Sequence, residues 1–505
     1  MAESKYRVRL NGDDLTAEAL EAVASGRSAL VMSADGLARM EAARALVDRA
    51  VIEAKPVYGV TTGLGARVGE VLSGTALSDF SRQTLRGRAH AVGEPMSSVH
   101  VRAAMIVRLN TLLKGAAGAS LEAARILEAC LAAELTPVVG ETASVGAGDL
   151  VWNATWALAL MGEGPIADAE GTVRPGEQAL HKAGVAALDP GPRDGLALAN
   201  NSSFSAALAA LGVAEAARVL EAAQTAAALS MEGFQANLSP LNSNVLALRP
   251  QPGQEEAAQG LRWRLKGSPL EAEGVARKLQ DPTSLRNIVQ VHGAALAALD
   301  FARTAAECEI NGASDNPVAL VAEDRIVSGG AYHTPHLTNA VETLSRALVQ
   351  LAVLQLARIS KMVSARFTDL PLFLARPGAD SNGFAPVMKT AEALTLELVH
   401  AAAPAPQWPS INADGVEDSL TSTPVAAKSL LRVLKLARLL TAIELIVAAQ
   451  AIDLRGSILA PLLKEAHARI RAISPTIEND RPLGAEINAL AAALDDFQVC
   501  AKGAS

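Results

Sequence analysis

Apolar residues recur at helical spacing over most of the chain after residue 195. The longest such runs cover residues 204–231, 285–308, 338–366, 386–403, 425–454 and 485–499. Apolar positions three and four residues apart lie on one face of a helix, so these runs predict long helices with a buried face. Clusters of Pro, Gly and Asn separate them at residues 238–253, 311–335, 370–383 and 404–424. We therefore expect a bundle of long helices, with functional residues on the connecting loops.

The pattern before residue 195 is more varied. Residues 6–10 (YRVRL) alternate as a strand does, and residues 14–25 and 35–53 follow the helical pattern. Successive helices are predicted over residues 76–135, and the Gly- and Pro-rich residues 166–190 predict a small hairpin. Together these patterns predict a mainly α (all-α) protein that begins with a smaller α+β part.

We expect two domains, residues 1–200 and residues 201–505, the second being the long-helix bundle. The 505 residues are 50% hydrophobic, which is enough for a large buried core. Only 3% are aromatic, and such a composition favours helices that pack closely through small side chains.

Charge and hydropathy exclude several classes of partner. The net charge is −8, and no basic arm or aromatic RNA-binding motif is present, so we expect no nucleic-acid partner. The N-terminus has no apolar signal core. The most apolar late stretch, residues 439–458, is interrupted by Glu444 and Asp453, which predicts a core helix and no membrane association.

The three cysteines, Cys130, Cys308 and Cys500, are far apart and form no CxxC pair. Their spacing indicates neither a disulfide framework nor a metal site. We expect buried free thiols in a reducing, cytoplasmic environment.

Two loops stand out for their glycines. Thr142–Leu150 (TASVGAGDL) precedes an apolar helix that runs to about Met161, and Asp149 is placed to cap that helix. Val57–Gly65 (VYGVTTGLG) is consistent with a flexible surface loop. A phosphate-binding loop is a weaker alternative, because no GK[ST] sequence follows.

Both loops resemble signatures of the histidine/phenylalanine/tyrosine ammonia-lyase family. That family usually has Ala-Ser-Gly before Asp-Leu, and the tripeptide cyclises and dehydrates to the electrophile methylidene-imidazolone (MIO). This chain has Gly146, Ala147 and Gly148 there. Because Ala147 replaces the serine that would be dehydrated, no MIO and no other cofactor is expected. The second loop resembles Tyr-Gly-x-x-Thr-Gly-Phe-Gly, which places Tyr58 on an active-site tyrosine.

Further blocks resemble the family in the same order along the chain, from about residue 55 to about residue 425. They are Asp194–Ser202, Gln280–Arg286, Glu309–Pro317, Ser328–His333 and Val416–Ser419. The resemblance implies that Asn200 faces the substrate and that Arg286 pairs with its carboxylate, for which a bidentate guanidinium is suited. It also places Tyr332 and Glu417 in the active site. Taken singly, each residue could instead have a structural role, such as a helix-surface arginine or an N-cap acid.

Several substrate-binding positions depart from the family pattern or are less securely aligned. Gln280 is kept, but Thr283 replaces a tyrosine used near the reacting carbon. The pair of residues that selects the substrate ring in the family aligns near Gly87–Arg88. The alignment of this segment leaves the register open, so His90 is a second candidate after Arg88. Lys389 could polarise the ring or carboxylate, or it could be a solvated helix lysine. A cationic leaving group would lie against aromatic faces, for which the candidates are Tyr58, Tyr332, Phe384 and Trp408.

The missing electrophile suggests the type of substrate. Ammonia is a poor leaving group and normally needs MIO, whereas a quaternary amine is already cationic and has no lone pair to attack an electrophile. The leading interpretation is an MIO-independent lyase resembling ergothionase, which eliminates trimethylamine from ergothioneine. Tyr58, or Glu417 acting with it, would remove the β-proton, while Asn200 and Tyr332 would bind the carboxylate or the developing charge.

Two alternatives remain open on the sequence: an MIO-type ammonia-lyase for histidine or another aromatic amino acid, and a non-catalytic helical homologue. The partner would be a small amino acid or betaine. The resemblance also implies a homotetramer of the ammonia-lyase/fumarase-like type, with active sites shared between subunits.

Overall fold

A computed structural model of the chain describes residues 7–72, 75–376 and 380–497. About 60% of the chain is helical and 7% is strand, which confirms the predicted mainly α class. Before residue 200 the elements are β1 Arg7–Leu10, α1 Ala17–Ala24, β2 Ala29–Met32, α2 Ala34–Ile52, α3 Thr75–Arg86, β3 Val92–Pro95, α4 Ser98–Leu112, α5 Leu121–Ala132, β4 Thr136–Pro137, β5 Gly140–Thr142, α6 Leu150–Leu160, β6 Pro165–Ala167, β7 Val173–Pro175, α7 Gly176–Lys182 and α8 Asp194–Ala199.

Longer helices dominate the rest of the chain. These elements are α9 Ser203–Phe234, α10 Ser243–Ala247, α11 Gln254–Leu265, α12 Thr283–Arg286, α13 Ile288–Ile310, β8 Val318–Leu320, β9 Arg325–Val327, α14 Pro335–Met362, α15 Ala365–Thr368, α16 Ala385–Ala401, α17 Thr423–Arg455, α18 Pro461–Ile473 and α19 Gly484–Ala492. The helical periodicity therefore located the long helices to within a few residues. It missed α11 and α18, and the predicted run from residue 285 is divided at Asn287 into α12 and α13.

The strands form four small sheets. β1 and β2 are parallel, whereas β3–β5, β4–β6–β7 and β8–β9 are antiparallel. The predicted strand at residues 6–10 is confirmed over Arg7–Leu10, since residue 6 lies outside the described part. The predicted hairpin forms from β6 and β7. The other strands were not predicted. β3, for example, has four residues that all lie on the surface and show no apolar alternation.

The chain divides into two compact units. Unit 1 contains the chain up to Ala214 together with Arg303–Val341 and Pro404–Lys428. Unit 2 contains Glu215–Ala302, Glu342–Ala403 and the chain from Ser429 onward. The predicted domain boundary at residue 200 thus lies inside unit 1, and four long helices contribute residues to both units.

In unit 1, α4 is the central helix and is buried from Val101 to Leu112. Its Arg108 is fully buried and forms a bidentate pair with Asp315, with Nη–Oδ distances of 2.8 and 3.2 Å. A buried charge requires such a partner, because an unpaired one would be strongly disfavoured in the core. This pair ties α4 to the segment before β8, and that segment reaches the cavity described below.

In unit 2, most of the apolar stretch at residues 439–458 forms the C-terminal part of α17, which ends at Arg455 and is a core helix as predicted. Glu444 of that stretch is buried and paired with Arg358 at 2.6 Å. By length and composition alone, Asp194–Phe234 and Pro335–Met362 could cross a membrane. However, 83% and 56% of their most apolar windows are buried by the chain itself.

The expectation for the cysteines was only partly right. Cys130 is a buried free thiol, and burial raises its pKa to about 12. Cys308 is also free, but it is exposed, because it lies on the outer face of α13. Cys500 lies outside the described residues.

Candidate active site

A cavity of about 810 Å³ lies within unit 1, where several loops converge on the N-terminal end of α6. Six residues that the sequence analysis singled out line it together. They are Tyr58, Arg88, Ala147, Asn200, Tyr332 and Glu417. The most distant of them are separated by more than 350 positions in the chain, so their convergence is a property of the fold.

The loop that carries Tyr58 is folded back on itself and packed against α8. The Tyr58 hydroxyl oxygen accepts a hydrogen bond from the Gly65 backbone N–H at 3.1 Å. Gly59 has φ +62°, and a Cβ there would collide with the Leu196 side chain of α8. Glycine is therefore required at this position, and the close approach places Tyr58 in the cavity wall.

The glycine-rich loop brings Ala147 to the same cavity. Gly146 and Gly148 have φ of +84° and +81°, a region that favours glycine. A Cβ on Gly148 would collide with Asn200 Oδ1, and one on Gly146 would collide with Thr421 Oγ1. The Asn201 N–H also donates to the Gly148 carbonyl at 3.0 Å. These contacts hold the loop against the Asn200 turn.

Asp149 has a different structural role from the one expected. It is at the N-cap position of α6, with φ +44°, but its side chain makes no capping bond to that helix. Instead its carboxylate accepts from Ser205 N–H at 2.8 Å and Ser205 O–H at 2.9 Å, at the first turn of α9. The Ser144 hydroxyl donates to the same carboxylate at 2.6 Å. Burial raises the pKa of Asp149, and these hydrogen bonds oppose that rise.

Four buried threonine hydroxyls form a hydrogen-bond network that reaches the glycine-rich loop. Thr421 donates to the Gly146 carbonyl at 2.8 Å, and its hydroxyl lies 2.7 Å from that of Thr423. The hydroxyls of Thr334 and Thr338 each lie 2.7 Å from Thr423 as well. This network connects the glycine-rich loop to the start of α14 and to the segment that carries Glu417.

A second connection runs through His333. The backbones of Ala147 and His333 form an isolated antiparallel bridge, and His333 Nε2 lies 3.2 Å from Ser419 Oγ. Tyr332 and Glu417, which neighbour these residues in the chain, both face the cavity. The bridge and the His333–Ser419 contact therefore tie three separate segments together.

The charged groups of the cavity influence one another. Burial lowers the pKa of Arg88, while Tyr58 and Glu417 act in the opposite direction. Burial also raises the pKa of Tyr332, and Glu417 and Tyr58 add to that effect. Tyr332 is therefore protonated at neutral pH and can donate a hydrogen bond, whereas Arg88 keeps its positive charge because an arginine pKa starts far above neutrality.

His90, the alternative to Arg88, does not line the cavity. It is exposed, and its Nε2 lies 3.1 Å from the Gly87 carbonyl oxygen. Trp408 also lies outside the lining and is 65% exposed. The sequence left Arg88 and His90 as alternatives for the ring-selecting position, and only Arg88 lines the cavity of unit 1.

The remaining candidates belong to unit 2 and are absent from the cavity lining. They are Gln280, Thr283, Arg286, Phe384 and Lys389. Arg286 is half-buried, and its Nε donates to the Asp281 carbonyl at 2.8 Å. Phe384 is 1% exposed, so its ring is part of the unit 2 core and not available to a ligand. Gln280, Thr283 and Lys389 are exposed.

Sequence reasoning missed several lining residues, among them Phe80, Gln83 and Thr84 of α3 and the loop residues Asn316 and Ser328. Phe80, Gln83 and Thr84 are three and four positions apart and thus share one face of α3. That spacing was visible in the sequence, but nothing indicated that this face lines a cavity. Asn316 accepts from the Gly329 N–H at 2.9 Å and so supports the Tyr332 loop.

Comparison with known proteins identifies the family. The family profile described as aromatic amino acid lyase matches residues 15–472. The chain belongs to this family. Histidine ammonia-lyases from Anaeromyxobacter dehalogenans and Myxococcus xanthus are 35% and 34% identical to it. These alignments cover 96% and 99% of this chain, and 98% of each relative.

Solved structures agree with this assignment. Histidine ammonia-lyase from Trypanosoma cruzi superposes with a TM-score of 0.91 at 29% identity, covering 97% of this chain and 93% of that one. Ergothionase from Treponema denticola, solved with desmethyl-ergothioneine sulfonic acid, also gives 0.91 at 28% identity, covering 98% and 100%. The protein is therefore a carbon–nitrogen lyase with the ammonia-lyase fold.

The cavity suits an elimination reaction. The lyase presents the phenols of Tyr58 and Tyr332, the carboxylate of Glu417 and the amide of Asn200 around one cavity. A base and several hydrogen-bond donors around one space are what the removal of a proton and the stabilisation of the resulting charge require.

Proposed function

We propose that this lyase eliminates trimethylamine from ergothioneine, a 2-thioimidazole betaine, and that it does so without MIO. The observation that carries the proposal is that Ala147 lines the cavity, since the resemblance of its loop to the family signature aligns this alanine with the precursor serine. In the reaction the base takes the β-proton, the electrons of that C–H bond form the carbon–carbon double bond, and the C–N bond breaks toward nitrogen. The products are neutral trimethylamine and the thioimidazolyl acrylate.

The residues of the glycine-rich loop do not fit the chemistry that forms MIO. Ala147 has no hydroxyl group to lose as water. The nearest serine, Ser144, is flanked by Ala143 and Val145 and donates its hydroxyl to the Asp149 carboxylate. A residue larger than glycine at Gly146 would also collide with Thr421. We therefore derive no step of the reaction through this group.

A quaternary ammonium substrate is compatible with this loop. Its nitrogen is already cationic, so the leaving group departs as a neutral amine without covalent capture. The trimethylammonium group on the α-carbon also stabilises the negative charge that develops on the neighbouring β-carbon when the β-proton leaves. The task left to the protein is to orient the substrate and to stabilise charge, for which preorganised hydrogen-bond donors are effective.

Each cavity residue has a role in this proposal. Tyr58, held by the Gly65 N–H, takes the β-proton, and the same N–H stabilises negative charge on the phenol oxygen. Tyr332 and Asn200 donate to the substrate carboxylate or to the developing charge. Glu417 supplies a carboxylate to the same cavity, and it acts with Tyr58 or faces the trimethylammonium group.

We also propose that the lyase is a homotetramer whose active sites are shared between subunits. The family resemblance assigns the carboxylate-binding role to Arg286, which lies in unit 2. Leu279, beside Gln280, is 95% exposed, and Leu396 on α16 is 72% exposed. In the proposed tetramer another copy would cover these two side chains. Light scattering after gel filtration tests this, and a monomeric active enzyme would contradict it.

A second candidate is an MIO-type histidine ammonia-lyase. The curated relatives that are 34–35% identical over almost the whole chain carry that name and favour this alternative. Intact mass separates the two candidates, because cyclisation and dehydration of the loop would remove water from the chain.

The test of the proposed function combines that mass with a substrate screen. The purified enzyme is incubated with ergothioneine, with hercynine (the same betaine without sulfur) and with histidine, while acrylate absorbance and released trimethylamine or ammonia are measured. We expect an unmodified mass and trimethylamine release from ergothioneine. Tyr58→Phe should retain binding but lose at least a hundredfold in kcat. A dehydrated mass with ammonia release from histidine would overturn the proposal.

A further inference from the structure

A buried side-chain amide lies behind the cavity, on the first turn of α6. Asn153 is fully buried in this mostly apolar helix. Asparagine is a weak helix former, and an amide in the core is unfavourable unless its donors and acceptors are paired. The partners of this side chain therefore indicate what it contributes to the fold.

The amide nitrogen of Asn153 binds the turn that carries Asn200. Nδ2 lies 3.1 Å from the Ala199 carbonyl oxygen and 2.7 Å from the Asn201 carbonyl oxygen, so it contacts the backbone on both sides of Asn200. The Gly148 carbonyl oxygen, in the glycine-rich loop, lies 3.4 Å away. Carbonyl groups at the end of a helix have no partner within it, and here the amide supplies one at the end of α8.

The amide oxygen of Asn153 is paired as well, which fixes the orientation of the group. Trp156 Nε1 donates to Oδ1 at 3.1 Å, and the Ser203 hydroxyl donates to it at 3.0 Å. An indole N–H can only donate a hydrogen bond, so the amide oxygen faces Trp156 and the NH₂ group faces the carbonyl oxygens. The amide cannot turn over without losing its bonds to both α6 and α9.

These contacts determine where Asn200 lies. Asn200 lines the cavity, and its φ of −98° and ψ of 85° place it outside the helical region. Only glycine at position 148 leaves room for Asn200 Oδ1. Since Asn153 binds the backbone before and after Asn200 and also contacts the Gly148 carbonyl, one oriented amide holds both the Asn200 turn and the glycine-rich loop.

We propose that Asn153 is a positioning residue for the elimination, which holds the Asn200 amide in the place that the substrate carboxylate or the developing charge requires. This inference rests on the proposed function for the role of Asn200, but it applies to any leaving group. Asn153 does not line the cavity, so it acts on the substrate through Asn200. Misplacement of a catalytic group by about 1 Å can lower a rate on the order of a hundredfold.

The test is a double-mutant cycle on kcat/KM, measured with whichever of ergothioneine, hercynine and histidine the native enzyme converts. We expect Asn153→Ala to lower kcat/KM at least about tenfold. In an Asn200→Ala background the same change should alter kcat/KM by no more than about twofold, because the group that Asn153 positions is gone. A purely structural role would give the same loss in both backgrounds.

Asn110 on α4 offers a matched control. It is also fully buried and does not line the cavity. Its side chain accepts from the Gly12 N–H at 2.9 Å and donates to the Ile310 carbonyl at 2.9 Å and to Asn311 Oδ1 at 3.0 Å. Asn110→Ala should therefore destabilise the fold in urea to a similar extent, while kcat/KM of the folded enzyme stays within about twofold of the native value.

A second variant and a binding measurement complete the test. Asn153→Asp keeps the size of the side chain and an acceptor for Trp156 and Ser203 but removes the NH₂ group, so it should also lose activity. Calorimetry with imidazolyl acrylate uses a carboxylate that cannot undergo the elimination. Weaker binding in Asn153→Ala, with no further loss in the Asn200→Ala background, would support the inference even if ergothioneine were not converted. Native kcat/KM in both Asn153 variants, or equal losses with and without Asn200, would overturn it.

Discussion

Replacement of Asp149 by alanine would test whether its carboxylate holds the start of α9 to the glycine-rich loop. The buried carboxylate binds the first turn of α9 through Ser205 and the glycine-rich loop through Ser144. Without it, the Ser205 N–H at the start of a 32-residue helix has no acceptor, while the two serine hydroxyls can rotate toward other partners.

The magnitude follows from these contacts. Loss of an N-cap acceptor costs about 0.5–2 kcal/mol, and a hydrogen bond to a charged group contributes about 1.5–3 kcal/mol. Removal of a buried charge offsets part of this loss, because burial of the carboxylate is itself unfavourable. We expect Asp149→Ala to lower the free energy of unfolding by about 3 kcal/mol and Asp149→Asn, which keeps one acceptor oxygen, by about half as much.

Urea unfolding monitored by tryptophan fluorescence is a suitable assay, because Trp152 and Trp156 are buried in α6 directly after Asp149. The control is Asp48→Ala, which removes an exposed carboxylate that pairs with Arg44 four residues earlier. That change should cost no more than about 0.5 kcal/mol. If Asp149→Ala unfolded within the same margin of the native chain, the carboxylate would not be holding α9 to the loop, and our reasoning would be refuted.

Three further predictions concern neighbouring groups. Burial raises the pKa of Glu309 to about 7, so the folded state holds its proton where the unfolded chain has lost it. This group's contribution to stability is therefore present below about pH 4.5 and is lost as pH rises to 7, by as much as about 3 kcal/mol. The urea midpoint should therefore change less between pH 5 and pH 8 in Glu309→Gln than in the native chain. An equal change in both proteins would contradict the raised pKa of Glu309. Gly148→Ala should destabilise the fold by about 1–3 kcal/mol and reduce kcat/KM, because φ is +81° and the new Cβ would collide with Asn200; unchanged melting temperature and rate would show that the loop can adjust. Arg286→Ala should reduce kcat/KM for any carboxylate substrate at least tenfold, and an unaffected value would show that the family role does not extend to this residue.

Local patterns along the sequence were sufficient for most of the fold. Helical periodicity placed α9, α14 and α17 because a long helix with a buried face must repeat its apolar residues every three to four positions, wherever it packs. The motifs around Tyr58, Asn200 and Glu417 also predicted that these distant residues share a site, and the cavity of unit 1 contains all three.

Only the tertiary structure decided which groups meet. No local pattern indicates that Asp149 binds α9 instead of the helix it begins, or that Arg88 rather than His90 faces the cavity. The contacts of Asn153 were equally hidden, since an asparagine in a helix has the same sequence signature whatever its side chain binds. The reason is physical: periodicity records how one element is buried, whereas hydrogen-bond partners depend on how segments far apart in the chain pack together.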